Sequence, residues 1–174
     1  MAIGRVPRAL SLEAAAASAG APRLFVALDG PNNAENIGVV VRNAAAFGAQ
    51  AILTPKRASS PWLRRAVRNS MGAIFSLNVI EDLDLPEALR WLRGAGFECI
   101  AAHAHASGLE LPDAPMAGDC CVVLGSEGHG LASETLRECP HHAAIPMSEG
   151  IDSLNVASAS AAFFYEIWRQ RRDR

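Results

Sequence analysis

Three short clusters hold most of the side chains in this sequence that could do chemistry. The first is LDGPNNAENIGVVVRNAAAFGA, which contains Asn36 and Arg42. Arginine suits phosphate and carboxylate geometry. Six residues make about 1.7 helical turns, so Asn36 and Arg42 do not strictly share a face. The plainer alternative is Asn36 as a helix cap and Arg42 as a surface charge. The second cluster is VVLGSEGHGLASE, where an apolar run ends at Gly125, Glu127 sits in a loop, and Gly128 and Gly130 follow. Glycines after a strand let the backbone approach a ligand, or simply make a tight turn. The spacing is not GxGxxG and no lysine follows, so neither a dinucleotide nor a nucleoside triphosphate is implied. The third cluster, IPMSEGIDSLNVASASAAFFYEIWRQ, runs from Ile145 to Gln170. Asp152, Ser153 and Asn155 stand where a helix starts, as an ordinary cap would. The small residues from Ala157 to Ala162 call for close approach of another element.

The elements that must position these clusters alternate between strand and helix. Residues 24–28, 51–53, 75–80, 97–102, 120–125 and 142–146 read as strands. Helices are expected at 34–49, at 61–72 behind a Ser60-Pro61 cap, at 85–96, at 132–139 capped by Ser133, and at 153–170. A Pro/Gly loop covers 107–119. This alternation predicts an α/β fold, a parallel sheet with helices on both faces. The 174 residues read as one domain at 21–174, preceded by residues 1–20 as an arm or an externally packed helix.

Composition narrows the classes. Half of the residues are hydrophobic and 20% are charged, a globular balance. The formal net charge of -2 excludes a generally cationic surface and leaves room for a local basic patch. Lys56 is the only lysine. Candidate phosphate contacts are Lys56, Arg57, Arg64, Arg65 and Arg68, and at the tail Arg169, Arg171, Arg172 and Arg174; solvated helix faces are the equal alternative. No stretch is apolar enough to span a membrane, and Glu13 interrupts the alanine run, which argues against a signal peptide. Cys99, Cys120, Cys121 and Cys139 form no CxxC pair and read as buried thiols of a cytoplasmic protein. His103, His105, His141 and His142 have no metal-ligand spacing, so no metal is expected.

Taken together and in order, the three clusters resemble the SpoU (TrmH) family of RNA 2′-O-ribose methyltransferases, within the SPOUT superfamily. The likeness covers roughly residues 24–170. It rests on Asn36-Ile37-Gly38 with Arg42, on LGSEGHGL, and on IPM…SLNVASA…E…RQ, with NSMGAIFSLNV at 69–79 similar to the family's middle segment. Asp152 departs from the commoner glutamate. An extra N-terminal RNA-binding domain of the kind many members carry is not expected, which bears on substrate rather than chemistry.

The resemblance implies a deep C-terminal trefoil knot, which strand and helix patterning would never predict. It implies an S-adenosylmethionine pocket formed by the knot loops, with Ala102, His103, Leu124, Gly125, Gly130, Ile145, Met147 and Leu154 around the cofactor. It also implies a homodimer and an RNA substrate, tRNA favoured over rRNA for a short member. Asn36, Arg42, Glu127, Ser153 and Asn155 become the catalytic group. Arg42 would bind a phosphate or steady a developing alkoxide, because a guanidinium stays protonated. Asn36, Ser153 and Asn155 would orient the ribose and Arg42, and Glu127 would hold Asn36 or Arg42. The alternatives are a non-catalytic RNA- or cofactor-binding member of the fold, and a Rossmann-like nucleotide-binding enzyme read from LGSEGHG alone.

Overall fold

The computed structural model describes residues 5–104, 108–126 and 128–172. Seven strands pair in parallel: β1 (Leu24–Asp29), β2 (Ala51–Pro55), β3 (Asn78–Leu83), β4 (Glu98–Ala102), β5 (Leu109–Glu110), β6 (Cys120–Gly125) and β7 (His141–Ala144). Their order across the sheet is β3-β2-β1-β6-β4-β7-β5. The helices are α1 (Leu12–Ser18), α2 (Ala34–Ala46), α3 (Arg64–Asn69), α4 (Leu85–Gly94), α5 (Ser133–Arg137) and α6 (Val156–Arg172).

The central strands are apolar on both faces because both faces are covered. Leu24, Val26 and Leu28 of β1 and Cys120, Val122 and Leu124 of β6 join one core with residues of α2, α3 and α6. The alternate residues Phe25, Ala27, Cys121 and Val123 join a second core with residues of α1, α4 and α5 or its flanks. Residues 12–18 are thus a helix packed outside the sheet, with Leu12, Ala15 and Ala16 buried.

Several expected boundaries move. α2 begins at Ala34 as expected, capped by Asn33 and not Asn36, the Asn33 side chain accepting from the N–H groups of Glu35 and Asn36. The helix expected at 61–72 shrinks to six residues. Ser60 Oγ accepts from Trp62 N at 3.1 Å and closes a turn ahead of the helix instead of capping it. Beyond Asn69, Met71 and Gly72 take left-handed φ values of 51° and 84°, which end the helix. Residues 73–76 form a 3₁₀ turn, so the strand expected from 75 begins at Asn78. Ser133 does not cap α5; Ala132 holds that place, and its N–H donates to Asp29 Oδ2 at 2.8 Å. The last helix starts at Val156 rather than 153, and the unexpected β5 lies inside the Pro/Gly loop.

At the amino edge of the sheet, Arg23 Nε and Nη2 donate to Asp119 Oδ2 at 2.8 and 2.6 Å and join the starts of β1 and β6. Burial raises the Asp119 carboxyl, but the hydrogen bonds from Arg23 outweigh it and hold the group below its ordinary range. The carboxyl edge is left to the loops that carry the three clusters.

Candidate active site

β6, β4 and β7 are neighbours, and the loops beyond them enclose a cavity of about 590 Å³. Ala102 and His103 reach its wall from β4, Leu124, Gly125 and Gly130 from β6 and its loop, and Ile145 and Met147 from behind β7. Leu154 arrives from the segment before α6, with Ser153 and Asn155 on either side of it. All eight residues expected around a cofactor therefore line one space, together with two of the five expected catalytic residues. Asn36 and Arg42 do not line it; they stand on α2, Asn36 half-buried and Arg42 exposed. Glu127 lies outside the described residues, as does His105.

The wall after β6 is set by backbone. Ser126 N donates to Gly130 O at 3.0 Å and Gly130 N donates back to Ser126 O at 2.9 Å, folding the loop onto the strand end. A Cβ on Gly125 would lie 2.5 Å from the carbonyl carbon of Gly130 and 2.7 Å from Leu131 N, so only glycine fits. Gly130 holds φ at +66°, the left-handed region. The Ser126 hydroxyl accepts from His129 N at 3.2 Å, and His129 also lines the cavity.

The opposite wall is the start of α6. Asn155 Oδ1 accepts from Ala157 N at 2.9 Å, so Asn155 caps the helix while lining the cavity. Asn155, Ala159 and Phe163, spaced by four, bring one helical face to the same wall. Two of the small residues, Ala157 and Ser160, face α2. Asn43 Nδ2 donates to Ala157 O and to Ser160 Oγ, both at 3.0 Å, and the buried Ser160 hydroxyl donates to Ala157 O at 2.7 Å. Arg42 precedes Asn43 and so leaves α2 at the turn that touches the first turn of α6. Gly38 explains its own place in the first cluster: a Cβ there would strike Ala66 O and come within 2.6 Å of Asn69 Cβ, so α3 rests directly on the α2 backbone.

The far end of α6 is pinned to the loop that precedes β6. Gln170 Oε1 accepts from Met116 N at 3.1 Å, while its Nε2 donates to Ala114 O at 3.0 Å and to Glu166 Oε1 at 2.9 Å. Arg169 Nη2 donates to Glu166 Oε1 at 2.8 Å. Those bonds, chiefly that from Arg169, hold the Glu166 carboxyl below its ordinary range against the opposing effect of burial.

The cavity suits a mixed apolar and polar ligand. Leu124, Ile145, Met147, Leu154 and Phe163 offer apolar surface, strand-end backbone offers hydrogen bonds, and Ser153 and Asn155 add polar side chains. Among the described residues, its titratable side chains are His103 and His129. Among the described residues, no group of three or more His, Cys, Asp or Glu could hold a metal, and no helix is long and apolar enough to cross a membrane. All four cysteines are free and buried, and burial pushes the Cys99 and Cys120 thiols up to about 12.

The profile of the SpoU rRNA Methylase family matches residues 23–165. The chain belongs to that family. The match runs from β1 well into α6 and takes in α2 and the loops around the cavity. An uncharacterized tRNA/rRNA methyltransferase of Mycobacterium tuberculosis is 39% identical over 168 residues, 95% of this chain and 57% of that protein. Another from Mycobacterium sp. strain KMS is 36% identical over 92% of this chain and 51% of its own length. The chain thus spans little more than half of these relatives. The SpoU methyltransferase AviRb of Streptomyces viridochromogenes, in complex with its cofactor AdoMet, superposes with a TM-score of 0.85 at 28% identity, over 96% of this chain and 67% of that one. An AdoMet-bound rRNA methyltransferase of Sinorhizobium meliloti gives 0.78 at 30% identity, over 84% and 56% of the two chains.

Four candidate residues escaped the sequence reading. Asn43 follows Arg42 in an alanine-rich helix, and its partners lie 114 and 117 residues away. His129 sat inside the quoted LGSEGHGL motif, where its loop position was the available signal. Ala159 and Phe163 could have been found from the four-residue spacing that starts at Asn155.

Proposed function

We propose that this chain is an S-adenosylmethionine-dependent RNA methyltransferase acting on a ribose 2′-hydroxyl. The observation that carries the reading is the single cavity at the carboxyl edge of β4, β6 and β7, into which both Gly125 and the Ser153–Asn155 segment open. Family membership and the two AdoMet complexes of similar fold support it. Its volume lies within the range of about 300–1,000 Å³ usual for small-molecule pockets.

The cofactor, when bound, supplies an electrophilic methyl group on a sulfonium. The residues of this chain must bring a ribose oxygen to it and help remove the proton. Apolar side chains such as Leu124, Ile145 and Leu154 would take the adenine, and the loop at Gly125 allows close backbone approach. Ser153 and Asn155 orient the ribose. Arg42 keeps its proton, so it serves as a charge: it holds the neighbouring phosphate or steadies the oxygen as it loses its hydrogen. Asn43 ties the Arg42 turn to the start of α6 and thereby fixes Arg42 relative to Asn155. Asn36 and Glu127 complete the group as positioning residues.

We also propose the trefoil knot of the family. Two facts support it: β7 lies between the consecutive strands β4 and β5, and Gln170 of α6 is bonded to the loop through Ala114 and Met116. The proposed state is a homodimer with residues 21–174 as the catalytic domain. The outer face of α6 supports it, for Tyr165 and Trp168 are 53% and 39% exposed beside Phe47. Light scattering should give twice the 18.4 kDa of one chain, and an active monomer would refute the dimer.

Incubation with methyl-tritiated cofactor, unfractionated tRNA and rRNA, and EDTA tests the enzyme reading. Label in RNA, first of all in tRNA, is expected. Turnover that needs added zinc, or cofactor bound without any transfer, would contradict it.

A further inference from the structure

The two arginine runs of the sequence are used differently. At the tail, Arg169 is paired with Glu166 at 2.8 Å, and Arg171 Nη2 donates to Arg23 O and Gly118 O, both at 2.8 Å. Arg172 stacks over Trp168 at 4.6 Å. That run serves the chain itself.

The run around α3 does not. Arg64 and Arg68 are exposed and make no side-chain hydrogen bond or ion pair among the described residues; Arg65 pairs with Glu35 at 3.0 Å. Lys56 and Arg57 are exposed as well, but the pairing of Pro55 with Leu83 puts the carboxylates of residues 81–84 at their sheet edge. Arg64 and Arg68 thus stand on α3 with no carboxylate paired to them among the described residues.

Beside these arginines the same segment displays apolar side chains. Met71 is 74% exposed and Phe75 65%. Met71 is lifted out by a left-handed φ of 51°, rare for a residue with a side chain, followed by Gly72 at 84°. Phe75 leans on Trp62 with ring centroids 5.9 Å apart, which braces it as a platform. A lone exposed apolar residue needs no explanation, but a braced aromatic next to two free arginines does. Cations and an exposed aromatic face on one short segment suit a ribose-phosphate strand whose bases are unpaired.

The position also fits. α3 rests on Gly38 of α2, Arg65 holds Glu35, and Ser59 Oγ donates to Asn32 O at 3.3 Å, so the whole segment is fastened to the start of the helix that carries Asn36 and Arg42. We infer that α3 and the turn after it form the RNA-docking surface, with Arg64 and Arg68 on phosphates and Phe75 and Met71 against one or more unpaired bases. A strand held there leads onto Arg42. The inference rests on the proposed RNA methyltransfer, and charge complementarity selects RNA over a second copy of the chain.

The test is fluorescence anisotropy of the 174-residue chain with a labelled single-stranded RNA of mixed sequence and a blunt RNA duplex, across a salt series. Arg64→Gln with Arg68→Gln should lower the salt slope for the single strand by about 1.4, roughly 0.7 for each lost phosphate contact. Phe75→Ser should weaken the single strand about tenfold and the duplex less than twofold. Calorimetry should show S-adenosylmethionine affinity within twofold of the parent for all variants. Unchanged RNA affinity and slope in variants of a chain that still methylates RNA would refute the surface and leave the activity standing. Equal losses on strand and duplex would refute base stacking, and a halved mass for Phe75→Ser would assign the face to a second copy instead. A parent chain that neither binds nor methylates RNA would overturn this inference and the activity together.

Discussion

Gly125→Ala places a methyl group where the structure has no room for one. The added carbon would lie 2.5 and 2.6 Å from the carbonyl carbon and oxygen of Gly130 and 2.7 Å from Leu131 N. All three are backbone atoms, so no side chain can swing aside. Ordinary contact begins near 3.4 Å, and the 126–130 loop must retreat by nearly 1 Å. Overpacking of this kind costs about 1–3 kcal/mol. For a chain of this size each kcal/mol shifts Tm by about 2–4 °C, so a fall of about 2–12 °C is expected. The retreating loop is a wall of the cavity, so S-adenosylmethionine affinity should fall at least about tenfold, read by calorimetry beside a thermal melt. Gly94→Ala is the control. Nothing lies within 4 Å of its added carbon and its φ is ordinary, so it should hold or raise Tm by a few degrees through the unfolded chain. If Gly125→Ala melts with the parent and binds the cofactor within twofold, the close-approach reasoning is wrong.

Arg42→Ala should slow single-turnover methyl transfer by about 10²–10³ and leave cofactor affinity within twofold, because an exposed Arg42 touches none of the cavity wall. Asn155→Ala should harm both affinity and rate, and it should also cost about 1 kcal/mol of stability through the lost cap on Ala157, seen by urea titration. The native protein should leave all four thiols unreacted with a disulfide reagent at pH 8 and release four in guanidinium, since burial raises every one of them. Glu166 has its pKa lowered by Arg169, so its contribution to stability is present above the ordinary carboxylate pKa and is lost as pH falls through the lowered value. Glu166→Gln should therefore melt below the parent at pH 7, with the gap closing in acid; a constant gap across pH would refute the pairing.

The central strands were legible because burial on both faces writes continuous apolar runs, and β1 and β6 begin where expected. α3 was misjudged for a local reason: Pro61 suits a helix start, but Ser60 closes a separate turn and Met71 adopts a conformation that its residue type disfavours. α2 starts at 34 as expected, and its cap is Asn33, which rules out the plainer reading of Asn36 as the cap. The cavity was reached through the family resemblance and not through spacing. No local pattern says that β4 lies between β6 and β7, yet that order alone brings Ala102, Gly125 and Ile145 to one space. Asn43 was illegible for the same reason, since its hydrogen bonds exist only once α6 has packed against α2.

The central claim is the atom that receives the methyl group. RNA labelled by the chain from methyl-tritiated S-adenosylmethionine should be hydrolysed in alkali and its products separated by length. A 2′-O-methyl group blocks attack on the adjacent phosphodiester, so the label should appear in alkali-resistant dinucleotides, and Arg42→Ala should reduce it about 10²–10³-fold. Label recovered wholly in mononucleotides would place the methyl on a base and contradict the account.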